Sequence, residues 1–182
     1  MQPFFTIHAG EYLVGSYIES QFKNVNVWVP SKDKGIDLLL TNSDNTTSVS
    51  IQVKFSKDFL ITHMDEIFQK GLRACGWWTL DREKIQKSIA DYWIFALHRF
   101  NAKELQFIII EPKKLLKIFD SLDRTGNKIQ SYIWVTEKNK AWETRSLKKP
   151  DQILIANHAF TNSKRDLSSY LNNWSNITNK LK

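Results

Sequence analysis

The segments K34-G-I-D-L-L-L-T41 and S48-V-S-I-Q-V-K-F55, joined by the polar run N42-S-D-N-T-T47, decide how this chain is read. Two apolar-rich runs around a short polar one predict a β-hairpin. Folding it symmetrically sets Thr41 against Ser48, Leu40 against Val49, Leu38 against Ile51, Asp37 against Gln52 and Ile36 against Val53. One register thus gives an all-apolar face and gathers Asp37 and Gln52 on the other. A slip of one residue would send both sets to the wrong sides. Lys54 follows Gln52 by two and joins the polar face. A carboxylate, an amide and an ammonium in the middle of apolar strands are costly to desolvate unless they bind something. A divalent metal and a phosphate would compensate all three.

Working outward, the first-strand candidate is N24-V-N-V-W-V29, which alternates and stops at Pro30. Before it, His8 to Phe22 reads as an amphipathic helix, with Val14, Tyr17, Ile18 and Phe22 near the 3.6 period. Glu11 falls on or beside that stripe, and two roles are open to it: a site acid, or a first-turn carboxylate favoured by the helix dipole. After the hairpin, Thr62 and Asp65 resemble a capping box. Met64, Ile67, Phe68, Gly71, Leu72 and Cys75 then predict a helix ending at Gly76. Trp77 and Trp78 read as core anchors, with a base-stacking platform as the alternative.

Asp81 to Ile89 reads as a short polar helix, and A90-D-Y-W-I-F-A-L97 and L105-Q-F-I-I-I110 as central strands. Pro112 opens a helix to Phe119. Tyr132–Val135 with Ala141-Trp142 reads as a last hairpin, and Asp166 to Trp174 as a terminal helix.

The chain has 182 residues, enough for one domain with a real core, and its apolar content of 42% excludes disorder. No run approaches a membrane span and no signal peptide is apparent at the N-terminus. The single cysteine, Cys75, excludes an internal disulfide and a Cys-rich zinc site; a cytoplasmic location is expected. The formal charge is +7, and the excess lies late: residues 112–149 hold 10 Lys/Arg against 4 Asp/Glu. Such asymmetry suits a polyanion, and equally a solvated surface. His8, His63, His98 and His158 show no metal-ligand spacing, and nucleophile motifs and phosphate-cradling glycine loops are absent.

Phosphodiester hydrolysis needs a metal against the phosphate, an acidified water and a cation for the transition-state charge. Hard oxygen donors suit Mg²⁺ (or Mn²⁺), which takes few protein carboxylates. In that scheme Asp37 is the main ligand, Gln52 offers its amide oxygen, Val53 its carbonyl, and Glu11 joins directly or through water. Lys54 orients the water or stabilises charge.

With G10-E-Y-L-V-G-S-Y-I18, G35-I-D37 and I51-Q-V-K54 in that order, the chain resembles the PD-(D/E)XK nuclease superfamily, shared by restriction endonucleases and Holliday junction resolvases. Ile36 stands where the family usually has proline. Gln52 stands where it usually has an acid, as in the Q-x-K variant. The resemblance implies an α/β, restriction endonuclease-like αβββαβ core over residues 1–111, with a mixed sheet flanked by helices. It also implies Asp37, Gln52, Lys54 and Glu11 in the active site. Residues 112–182 are expected to form a basic C-terminal extension on the same domain. Lys113, Lys114, Lys117, Arg145, Lys148 and Lys149 are its candidate nucleic-acid contacts. The expected activity is Mg²⁺-dependent DNA cleavage by a homodimer, with RNA the lesser substrate. Because Gln52 removes a charge, a non-catalytic module binding nucleic acid or a protein partner is the alternative.

Overall fold

In the computed structural model, residues 8–32, 34–56, 65–98 and 104–182 are described. Helix α1 (Ala9–Gln21) leads into strands β1 (Val25–Trp28), β2 (Leu38–Asn42) and β3 (Ser48–Ser56). The β2–β3 hairpin takes the register its apolar residues require, with Leu38 opposite Ile51, Leu40 opposite Val49 and Thr41 opposite Ser48. Its turn is tied by Asn42, whose side-chain oxygen accepts the N–H groups of Thr46 (2.9 Å) and Thr47 (3.1 Å). Leu38, Leu40, Val49 and Ile51 are almost fully buried. They meet Val14 and Ile18 of α1, so one hydrophobic cluster fixes the helix against the hairpin.

The next segment departs from expectation. Helix α2 (Glu66–Gly71) starts after Asp65, whose backbone carbonyl accepts the Phe68 N–H (2.9 Å), and stops at Gly71, and strand β4 (Leu72–Asp81) follows without a break. Thr62 and Met64 lie outside the described residues. The apolar run through Cys75 carries two periods at once, and long-range pairing decides for the strand: β4 pairs antiparallel with β7 (Lys128–Thr136). Trp78 and Leu80 then point inward at the strand period, Trp78 meeting Phe95 edge-on at 5.0 Å. Trp77 faces outward and keeps 37% of its surface exposed.

Helix α3 (Arg82–Gln86), capped by Asp81, leads to β5 (Tyr92–His98), β6 (Leu105–Ile110) and α4 (Pro112–Ser121). After β7 come β8 (Ala141–Glu143) and α5 (Lys149–Ala156). The helix expected over Asp166–Trp174 is replaced by 3-10 turns at Ser163–Arg165 and Ser168–Tyr170, and by α6 (Ser175–Lys180). The reason is competition from a sheet edge. Asn172 sits at φ 49°, donates its backbone N–H to the Phe107 carbonyl (2.7 Å), and accepts the Phe107 N–H on its side-chain oxygen (2.9 Å). Those bonds cover the β6 edge, which would otherwise present unpaired backbone.

The molecule is mixed α/β. One sheet of five strands runs β1-β2-β3-β5-β6, antiparallel except for the β3–β5 pair; a second runs β4-β7-β8. The chain therefore does not cross from β3 to β5 through a helix alone, since the crossover carries α2, β4 and α3. Nor do helices alone flank the larger sheet. One face packs on α1 and α6, and the other buries Trp93, Phe95 and Ile108 against β4, β7 and α4. No helix among the described residues is long and apolar enough to cross a membrane.

Candidate functional site

Asp37 is the last residue before β2 rather than a member of the strand, and that position defines the site. Its backbone N–H donates to the Ile51 carbonyl (2.8 Å). Its carboxylate oxygen Oδ2 then takes the Val53 N–H (2.6 Å) and the Gln52 amide Nε2 (2.7 Å). The ladder between the strands stops at Leu38, and the side chain replaces the next backbone acceptor. Because both donors converge on Oδ2, the second oxygen receives no hydrogen bond from the described residues. With Nε2 on Asp37, Gln52 leaves its Oε1 on the side of Gly35, which sits at a φ of 87° that glycine adopts without strain.

Lys54, two residues along, lies on the same face of β3. Parallel pairing sets Gln52 beside Trp93 and Lys54 beside Phe95. The Lys54 ammonium sits 4.9 Å from the centre of the buried Trp93 ring, a cation–π contact that localises the charge. Trp93 is itself fixed, its indole N–H donating to Ser88 Oγ (2.9 Å).

Glu11 enters from α1. Its Oε2 accepts the His8 backbone N–H (3.1 Å), so it satisfies the helix start in the way a first-turn carboxylate does. The same residue lines a cleft of about 300 Å³ whose walls also include Asp37, Gln52, Val53 and Lys54. Gly10 makes this possible. A β-carbon there would land inside the Phe55 side chain, so the helix start can lie on β3 only with glycine at that position.

The six basic residues expected to grip nucleic acid lie elsewhere. Lys113, Lys114 and Lys117 are exposed on α4, with Lys114 paired to Glu111 (2.6 Å). Arg145, Lys148 and Lys149 precede or open α5, with Lys149 paired to Asp65 (2.8 Å). None of the six lines this cleft. Part of the late basic excess is structural: Glu143, 1% exposed, takes Arg124 on both oxygens (2.6 and 2.7 Å) and Arg165 on one (3.0 Å). Burial pushes the Arg165 pKa down from its ordinary value, and Glu143 acts against that shift.

Sequence reasoning did not find Gly10, Trp93 or Ser88. Glycine beside the helix acid was a visible signal; the tryptophan and serine act through a parallel pairing that local sequence does not encode. No protein-family model, curated protein or solved structure matches the chain.

Chemically, the cleft offers two carboxylates, an amide oxygen, the His8 imidazole and one localised ammonium. Among the described residues no three His, Cys, Asp or Glu side chains cluster as a metal cage. The two carboxylates and the amide oxygen are hard, sparse donors of the kind Mg²⁺ or Mn²⁺ takes while keeping several waters.

Proposed function

We propose that the chain is a metal-dependent endonuclease acting on DNA, of restriction or junction-processing type, built on a restriction endonuclease-like core. The observation that carries this reading is the convergence of Asp37, Gln52, Lys54 and Glu11 on one open cleft. Asp37 and Glu11, with the Gln52 amide oxygen and the Val53 carbonyl, would hold Mg²⁺ or Mn²⁺. When bound, the ion would neutralise charge on the scissile phosphate and acidify a water. Asp37 presents Oδ1 for this while Oδ2 remains anchored on Val53, so the carboxylate is oriented by the sheet itself. Lys54, held over Trp93, supplies positive charge against the phosphoryl oxygens where it builds up. Cutting both strands of a duplex calls for two such clefts, so a homodimer is the working assembly.

The test is plasmid nicking with Mg²⁺ or Mn²⁺, which should be abolished in Asp37→Ala and in Lys54→Ala. Full activity in both variants, with the wild type active, would reject the site. Parallel assays on RNA decide the substrate's sugar.

One observation favours a second reading, a nuclease fold kept as a non-catalytic module binding nucleic acid or a protein partner. The Gln52 amide already satisfies Asp37 (2.7 Å), so the pair is stable without a cation. Calorimetric titration separates the two. The enzyme binds Mn²⁺ at a site lost in Asp37→Asn, whereas the module shows no such site.

A further inference from the structure

A larger cleft of about 590 Å³ adjoins the first, and Gln52 and Lys54 line both. Lys34, from the turn before β2, lies on one wall, and Lys84 of α3 and Lys87 just after it lie on another, together with Asp81 and Glu83. The two acids are already engaged. Glu83 pairs with Lys87 (2.5 Å), and Asp81 with Lys128 of β7 (2.7 Å). Asp81 also accepts the Lys84 backbone N–H (3.1 Å). Lys34 and Lys84 are exposed and form no ion pair among the described residues, so their charge adds to that of Lys54.

Spaced ammonium groups around one concavity repel one another and are relieved by an anion with repeated charges. Ile89, 64% exposed on the rim, gives such a ligand an apolar surface for a sugar or base. A small inorganic anion has no use for that surface.

We propose that this cleft carries the phosphodiester backbone next to the reacting phosphate, with Lys34 and Lys84 as the phosphate contacts. The inference rests on the nuclease reading and gives it a binding surface other than Lys113–Lys149. It predicts that affinity is set by the turn before β2 and by α3, whatever the base sequence.

The experiment measures anisotropy of a labelled DNA duplex with the full chain in chelator, across a salt series. Lys34→Ala/Lys84→Ala should weaken binding at least tenfold and reduce the log–log salt slope by about 2, near 0.9 per lost phosphate contact. Lys23→Ala/Lys164→Ala, at exposed lysines that line neither cleft, should leave slope and affinity as in the wild type. Unchanged slope and affinity in the Lys34/Lys84 variant, folded by circular dichroism, overturns the proposal. So does equally tight binding of polyglutamate. Nicking with Mn²⁺ is scored separately. Wild-type nicking with no binding defect in the variant overturns the cleft alone, whereas a binding defect without wild-type nicking overturns the nuclease reading alone.

Discussion

At the residue scale, Asp37 carries two loads that substitution can separate. It accepts the Val53 N–H inside the sheet and belongs to the cleft. Asp37→Ala leaves a half-buried donor without its acceptor, which costs about 1–3 kcal/mol. Asn keeps an oxygen for Val53 and loses the charge. The expectation is that Ala lowers both the melting temperature and metal binding, whereas Asn lowers metal binding with a shift of a degree or two. Calorimetry on both variants, with and without Mn²⁺, checks it. One side chain thus ends the β2–β3 pairing and lines the cleft. Gln52 and Lys54 were legible because period 2 fixes the face of every strand residue once one pairing is known. Trp93 was not, since its place beside Gln52 follows from a parallel partner far along the chain.

Elements position these groups, and their packing yields two further expectations. In α1, Gly10→Ala inserts a methyl against Phe55, and the helix start must lift from β3. Overpacking of this kind costs about 1–3 kcal/mol. It should also displace Glu11, so nicking should fall further than the melting temperature alone accounts for; assaying both well below the transition separates the effects. At the opposite end, α6 is tied to β5 through Asp91. Burial acts to raise the Asp91 pKa, but the Lys180 ammonium (2.6 Å) and the Ser50 N–H and hydroxyl (2.8 Å each) hold it below its ordinary 3.8. A carboxylate lowered on folding contributes stability above its unfolded pKa, and that contribution is lost as pH falls through the lower, folded value. Melting temperatures recorded from pH 6 down to pH 3 should therefore fall more steeply in the wild type than in Asp91→Asn. Local sequence showed α1 and the hairpin well because their apolar spacing has one solution. For 66–81 it had two, and the strand form of β4 was decided by β7. The Asp166–Trp174 segment was misread for the same reason, its backbone being claimed by β6.

On the scale of the whole molecule, the late basic excess divides into a scaffold and a surface. Arg124 and Arg165 converge on Glu143, a carboxylate with almost no exposure, and join the strand β8 to the loops after α4 and α5. Removing one member of a buried charge cluster typically costs about 3–5 kcal/mol. Glu143→Gln should approach that figure by urea denaturation while leaving the cleft beside Asp37 intact in the folded fraction. A charge count along the sequence could not make this division, because an arginine facing an acid and one facing water look alike there.

The placement of β4 has a kinetic consequence. Ile51 pairs with Tyr92 across the crossover, while Leu72 within it pairs with Thr136 far downstream. Closing such separated contacts gives little return until large loops are already ordered, so folding should be slow, in the millisecond-to-second range of topologies with high contact order. Until β7 arrives, Trp78 and Leu80 have no sheet to join. A nascent chain paused between these strands would expose sticky aromatic surface, and refolding yields should fall as protein concentration rises.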